Sequence, residues 1–180
     1  MRLLRTMLAG FRGFPALLSG QERWRQMVDV SGHGLQAVLL AYGIYLGLYL
    51  LAVPLTGPGL TPISAVVITL VNLLPPLRVA LVTLATVRFL VPGMAVRDML
   101  VPALYALTIV ALVSLLLLPW REALGGFQLA LFAVCFSRVA RATGRFGIGV
   151  SIAYALANVV LLVGAPLALY MLLAPGPGPI

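Results

Sequence analysis

Long apolar stretches alternate with short polar ones along most of this chain. Five stretches stand out, at about residues 35–53, 61–87, 99–118, 123–137 and 147–173. All but the fourth approach or exceed the roughly 20 residues that cross the hydrocarbon core of a bilayer. The pattern therefore predicts an all-α integral membrane bundle of about five transmembrane helices.

The second stretch contains the segment NLLPPLRVALV, which brings Asn72, Pro75, Pro76 and Arg78 within seven positions. If the helix continues through the two prolines, the chain crosses the membrane five times. If it breaks there, the chain crosses six times, and each half-helix has only about 14 or 15 residues, which is too short to span. The length of the halves favours the continuous helix.

The distribution of the arginines favours the same topology. With five spans and a cytoplasmic N-terminus, one arginine faces outside beside Glu122, one lies within span two, and all the others face the cytoplasm. With six spans, seven arginines fall on one side and five on the other. Because basic residues concentrate on the cytoplasmic side, we predict a cytoplasmic N-terminus and a periplasmic C-terminus in a bacterial inner membrane. The predicted cytoplasmic arginines are Arg2, Arg5, Arg12, Arg23, Arg25, Arg88, Arg97, Arg138, Arg141 and Arg145.

Composition agrees with a membrane protein. Hydrophobic residues make up 62% of the 180 residues, charged residues 9%, and the mean hydropathy is +1.13. An ordinary globular domain carries about 25% charged residues, so this chain could not cover a water-facing surface. The net charge of +8 is accordingly assigned to the cytoplasmic face and not to nucleic-acid binding.

The chain is predicted to have three regions. They are a basic segment at the membrane surface (1–31), the transmembrane domain (32–174) and a Pro/Gly-rich tail (175–180). At 100° per residue, an N-terminal amphipathic helix would separate one apolar face from one basic face, which suits an interface with anionic lipid. The apolar face comprises Leu4, Met7, Leu8 and Phe11, and the basic face Arg2, Arg5 and Arg12.

The segment after this helix has a possible capping box, formed by Ser19 and Glu22. It predicts a second short helix over 21–30, in which Trp24 would anchor the chain at the membrane interface.

Three polar side chains within the spans form a possible intramembrane site: Asn72, Arg78 and Asn158. Counted from the predicted ends of their spans, Asn72 and Asn158 each lie about 16 Å deep, so we predict that they face each other across neighbouring helices; the alternative is that each bonds to its own backbone or to water. Arg78 is placed in the inner leaflet, about 25 Å from the outer surface. It would either snorkel to the headgroups or line a polar cavity together with carbonyls freed by the prolines.

Two further sets of residues are candidates for contacts with helices or lipids. Gly43 and Gly47 form a GxxxG pattern that permits close helix packing, either within the chain or in a dimer. The segment 137–145 is predicted to be a loop that presents Arg138, Arg141 and Arg145 at the inner surface. Positive-inside topology alone explains these arginines, and a site for anionic lipid or a partner protein is the alternative.

Catalytic chemistry is poorly represented. The four carboxylates are predicted to lie outside the hydrocarbon core, His33 is the only histidine, and Cys135 the only cysteine. No motif for a nucleophile elbow, a zinc protease or a phosphate loop is present. We therefore expect no enzyme activity, no cofactor and no metal, and we expect Cys135 to be a buried apolar residue.

Two long segments, together with the basic N-terminus and the five spans, carry a resemblance to a known family. The segments are GMAVRDMLVPALYALTIVALVSLLLLP and FQLALFAVCFSRVARATGRFGIGVSIAYALANVVLLVGAPLAL. These features resemble bacterial members of the Yip-type membrane protein family. The resemblance covers about residues 35–173 and includes a basic turn before the last span, matched loosely by Arg141 to Arg145. The acidic-aromatic signature of the eukaryotic members is absent, so binding of small GTPases is not implied. The resemblance implies a non-enzymatic scaffold or helper.

Two functions therefore stay open. The first is a scaffold that organises the membrane, a partner membrane protein or a second copy of the chain. The second is a small transporter or permease component, favoured by the kinked second span and by the buried polar residues Asn72, Arg78 and Asn158. A solvent-accessible cavity at mid-depth would distinguish them.

Overall fold

The computed structural model of the protein describes residues 1–52 and 62–173, and every regular element within them is helical. The predicted all-α class is confirmed for this part of the chain. The loop after the first span and the Pro/Gly-rich tail lie outside the described residues. A 3-10 turn at Leu118–Trp120 connects the fifth helix to the sixth. The helices are α1 (Arg2–Leu18), α2 (Trp24–Met27), α3 (Gly32–Ala52), α4 (Pro62–Leu90), α5 (Val96–Leu116), α6 (Arg121–Gly144) and α7 (Ile148–Leu173).

Three of the described helical segments are long and apolar enough to cross a membrane: Gly32–Ala52, Val71–Leu90 and Val96–Leu116. A fourth apolar segment, Ile148–Gly164, is shorter. These segments identify a membrane-embedded helical protein. The count of five spans and the orientation of the termini stay predictions.

The helix α4 continues through Pro75 and Pro76 without interruption. This continuity favours the five-span topology over the split at the double proline. With 29 residues, α4 is about 43 Å long and exceeds the roughly 30 Å of a bilayer core.

The predicted loop at 137–145 is wrong, because α6 continues to Gly144. Val139 and Ala140 are fully buried in the bundle, and this burial stabilises two more helical turns. The helix then ends at Arg145, whose φ of 52° is left-handed, and α7 begins three residues later.

The helix α5 occupies the centre of the bundle and packs against α3, α4 and α6. Its residues from Val101 to Thr108 are all buried. A helix that is apolar on every side is expected to be surrounded by protein, and the segment VPALYALT fits this description. Around it, α7 packs against α6 and α4.

The helix α1 packs against α3, α5 and α6. It ends in a Schellman motif, in which Gly20 has a φ of 76° and the N–H groups of Gly20 and Gln21 bond to the carbonyls of Leu17 and Ala16. Phe14 and Leu17 are buried, and Gly10 lies directly against the phenol ring of Tyr105 on α5. A side chain larger than hydrogen at position 10 would overlap that ring.

The expected capping box is wrong, because Ser19 Oγ donates to the Ala16 carbonyl and caps no helix N-terminus. The helix that follows is correspondingly short, with only the four residues of α2. Trp24 is 5% exposed and packs inside the protein, so it is not the interface anchor that we predicted.

Candidate functional site

The double proline of α4 frees a backbone carbonyl that a neighbouring helix satisfies. Pro76 has no N–H, so the carbonyl of Asn72, four residues earlier, lacks its intrahelical donor. The hydroxyl of Tyr42 on α3 donates to this carbonyl oxygen over 2.8 Å. The phenol of a different helix therefore stands in for the missing backbone donor.

Arg78 lies in the protein interior and does not snorkel. It is 8% exposed, and its Nη1 lies 3.5 Å from the Leu162 carbonyl oxygen on α7, a long hydrogen bond. The residue four positions after Leu162 is Pro166, so this carbonyl also lacks its intrahelical donor.

Two features explain why the snorkelling prediction is wrong. Arg78 is ten residues, about 15 Å, from Arg88 near the end of α4, so it lies deeper than a count from the outer surface suggested. Helical side chains also tilt toward the N-terminus of their helix, which in the predicted topology is the outer end. In that topology the guanidinium is directed away from the cytoplasmic headgroups.

The predicted pairing of Asn72 with Asn158 is wrong, although α4 and α7 are neighbours as expected. The hydroxyls of Thr83 and Tyr154 lie 2.8 Å apart, which together with the contact of Arg78 sets the register of the two helices. Asn158 then lies level with about residue 80 of α4, roughly 12 Å along the axis from Asn72. Because α4 is longer than a bilayer is thick, counting depth from its outer end misplaced Asn72.

Asn158 instead bonds to the backbone of its own helix, which was the alternative to pairing with Asn72. Its amide nitrogen donates to the Tyr154 carbonyl of its own helix over 2.9 Å. The side chain is 1% exposed, and its Oδ1 has no hydrogen-bond partner among the residues that the structure describes. An unsatisfied amide oxygen at this depth destabilises the bundle by about 1–3 kcal/mol.

A cavity of about 250 Å³ lies in the bundle beside the double proline. Among the described residues, four polar side chains of α3, α4 and α6 line it, and apolar side chains of α5, α6 and α7 complete its wall. Arg78 and Asn158 are not among the lining residues, so the three predicted polar residues do not form a single site. The polar lining residues are Tyr42, Tyr45, Asn72 and Gln128.

A second cavity of about 250 Å³ lies where α1 and α2 meet the last turns of α6. Four arginines line it. Three of them were predicted from the sequence as possible contacts for anionic lipid. The fourth, Arg25, was not grouped with them because it is more than 100 positions away along the chain. Among the described residues, Glu22 is the only carboxylate that lines this cavity, and no arginine there forms an ion pair with any of them. We call this cavity the basic pocket; its arginines are Arg25, Arg138, Arg141 and Arg145.

The arginines of α1 lie outside the basic pocket. Arg2, Arg5 and Arg12 are exposed, and so are Leu4 and Leu8 of the predicted apolar face. Met7 and Phe11 of the same face are half-buried, and Phe11 packs edge-to-face on the Tyr105 ring.

The remaining candidates have simple environments. Gly43 and Gly47 are exposed, and a Cβ added to either would meet no described atom within 4 Å. The predicted packing of GxxxG within the chain is therefore wrong for the part that the structure describes, and a dimer contact stays a prediction. Cys135 is buried, as expected for an apolar role. In the described ranges, no cluster of three or more His, Cys, Asp or Glu could hold a metal ion.

Comparisons with protein-family models, with curated proteins and with solved structures give no match for this chain. The resemblance to Yip-type proteins therefore stays a prediction. The features of the structure that bear on function are the two cavities and the exposed face of α1.

Proposed function

We propose that this chain is a non-enzymatic membrane scaffold, which offers a fixed basic surface at the cytoplasmic side of a bacterial inner membrane. The observation that carries this proposal is the docking of α1. Phe14 and Leu17 bury one side of α1 in the bundle, while Arg2, Arg5 and Arg12 stay exposed on the other.

A surface helix docked on a transmembrane bundle suits a scaffold because its position relative to the bundle is set by packing. The close contact of Gly10 with Tyr105 leaves α1 little freedom to shift along the bundle. Exposed Leu4 and Leu8 can then enter the headgroup region, and the arginines can bind anionic lipid or an acidic partner protein. The resemblance to Yip-type proteins points to the same role.

The proposal is tested with full-length protein in nanodiscs. A cysteine at position 8, in a Cys135→Ser background, carries an environment-sensitive fluorophore. In anionic nanodiscs we expect a blue-shifted emission that is protected from an aqueous quencher. Packing holds α1 from Gly10 onward, whereas none of its residues before Gly10 is buried. Replacing Arg2, Arg5 and Arg12 with Gln should therefore expose the fluorophore at position 8, because each arginine contributes about 1 kcal/mol of attraction to the anionic surface.

Arg88→Gln is the matched control, since Arg88 is exposed and also predicted to be cytoplasmic, but lies on α4. It should leave the emission unchanged. A fluorophore that is fully accessible to the quencher in the wild-type arginine background would contradict the interfacial role of α1.

The cavity beside the double proline favours a second candidate function, a small transporter or permease component. Its polar side chains at mid-depth could receive a small polar solute. The two functions are distinguished by labelling single cysteines along α4 with a membrane-impermeant reagent. Labelling at 72 and 75 would favour a water-filled path, whereas labelling only near Leu90 would favour the scaffold.

A further inference from the structure

An open groove of about 360 Å³ runs between α6 and α7 on the surface of the bundle. Ala133, Ser137 and Ala155 line its less exposed part, and these small side chains leave room for an occupant. Val134, Ile152 and Leu156, each about half exposed, line its more exposed part. In a membrane this groove faces lipid tails.

The groove and the basic pocket share two residues, Arg138 and Arg141. These arginines are three positions apart on α6, so they lie on the same face of the helix. The apolar groove therefore leads directly into the basic pocket. From Arg141 to Ala133 the groove extends about 12 Å along α6, away from the end of the helix.

The charges of the pocket specify the sign of the group that it accepts. Arg25 and Arg145 join the two shared arginines. Guanidinium groups bind phosphate oxygens in a bidentate geometry. An anionic group with an attached hydrocarbon chain would satisfy both parts of this surface.

We infer that the ends of α6 and α7 that meet at Arg145 bind one anionic phospholipid. Its phosphate lies between Arg138 and Arg141, and one acyl chain lies in the groove between the helices. This inference rests on the proposed membrane function, but it concerns a different surface from the exposed face of α1.

The site is tested with full-length protein stripped of lipid in detergent, by native mass spectrometry. Phosphatidylglycerol and phosphatidylcholine with the same acyl chains are titrated separately. We expect phosphatidylglycerol to bind more tightly. The double substitution Arg138→Gln and Arg141→Gln should weaken its binding about 25-fold, at about fivefold for each arginine, and should remove the preference.

The groove is tested by Ala133→Leu, which fills it without changing charge. This variant should bind both lipids more weakly and keep the preference for the anionic one. Two controls lie outside the site, Arg97→Gln for charge and Ala153→Leu, an exposed position of α7, for volume. Both should bind as the wild type does.

Three results would overturn the inference. The first is equal binding of the two lipids to the wild type, and the second is a loss in Arg97→Gln as large as in the double variant. The third is displacement of the lipid by soluble glycerol phosphate at similar concentration, which would indicate a site for a free phosphate. None of these results would change the fluorescence of a probe on α1, so they leave the scaffold proposal to its own test.

Discussion

The hydroxyl of Tyr42 should be energetically coupled to Pro76. Tyr42→Phe removes the donor that satisfies the Asn72 carbonyl. Interhelical hydrogen bonds in membrane proteins contribute about 0.6–2 kcal/mol, and an unpaired buried carbonyl costs about 1–3 kcal/mol. We therefore expect Tyr42→Phe to lower the free energy of unfolding by about 1–2 kcal/mol.

The double-mutant cycle with Pro76→Ala gives this prediction its specificity. Alanine restores a backbone N–H at position 76, which can bond to the Asn72 carbonyl within α4. In that background Tyr42→Phe should cost about 0–0.5 kcal/mol, so the coupling energy should be about 0.5–2 kcal/mol. Pro75→Ala is the matched control, because it restores a donor for the carbonyl of Val71 instead and should give no rescue.

The measurement is equilibrium unfolding of the purified protein in mixed micelles, with increasing SDS, followed by far-UV circular dichroism. All four members of the cycle need to unfold in one reversible transition. An equal cost of Tyr42→Phe with proline and with alanine at 76 would refute the reasoning, as would an equal rescue by Pro75→Ala.

Three further predictions concern topology, packing and pH. Reporter fusions should read cytoplasmic at Gly144 and periplasmic at Ile180, and the reverse pattern would revive the six-span topology. Gly10→Ala should destabilise the bundle by about 1–3 kcal/mol in the same unfolding assay, because the added methyl overlaps the phenol ring on α5, whereas Gly43→Ala should not destabilise it. The pKa of Asp29 is lowered, chiefly by hydrogen bonding to the side chain and backbone of the serine two residues later. Since its folded-state pKa lies below the unfolded value of about 3.9, the stabilisation by the ionised carboxylate is complete above about pH 3.9 and is lost as the pH falls through the folded-state pKa. As the pH falls from about 3.9 through the folded-state pKa, the free energy of unfolding of Asp29→Asn should therefore rise relative to that of the wild type. A difference between the two proteins that does not change with pH would contradict this.

Hydropathy and charge located the helices well, because both depend on sequence-local properties. The predicted spans at 35–53 and 147–173 lie within two or three residues of α3 and α7 at every end that the structure describes. The continuous α4 also followed from the sequence, since half-helices of about 15 residues are too short to cross a bilayer. The end of α6 did not follow, because its extra turns depend on tertiary burial of Val139 and Ala140.

The relations between helices were harder to predict. The sequence indicates that Pro76 frees a carbonyl, but it does not say that a tyrosine 34 positions earlier supplies the donor. The sequence likewise indicates a cluster of three arginines at 138–145. It does not indicate that Arg25 lies beside them, because that proximity depends on the docking of α1. The GxxxG pattern misled because a small-residue motif marks a surface that can be approached closely, and not one that is occupied.

The carbonyls of Asn72 and Leu162, each freed by a proline four residues later, have different consequences for the assembly of the chain during synthesis. Tyr42 precedes α4 and is made before it, so the donor for the Asn72 carbonyl is already available when α4 enters the membrane. Arg78 bonds to Leu162, which belongs to α7, the last helix of the described chain. Until α7 arrives, the guanidinium lacks this acceptor, so nascent chains that stop before α7 should release α4 from the membrane more readily than complete chains. The second half of α4 thus depends on the last helix to become a stable part of the bundle.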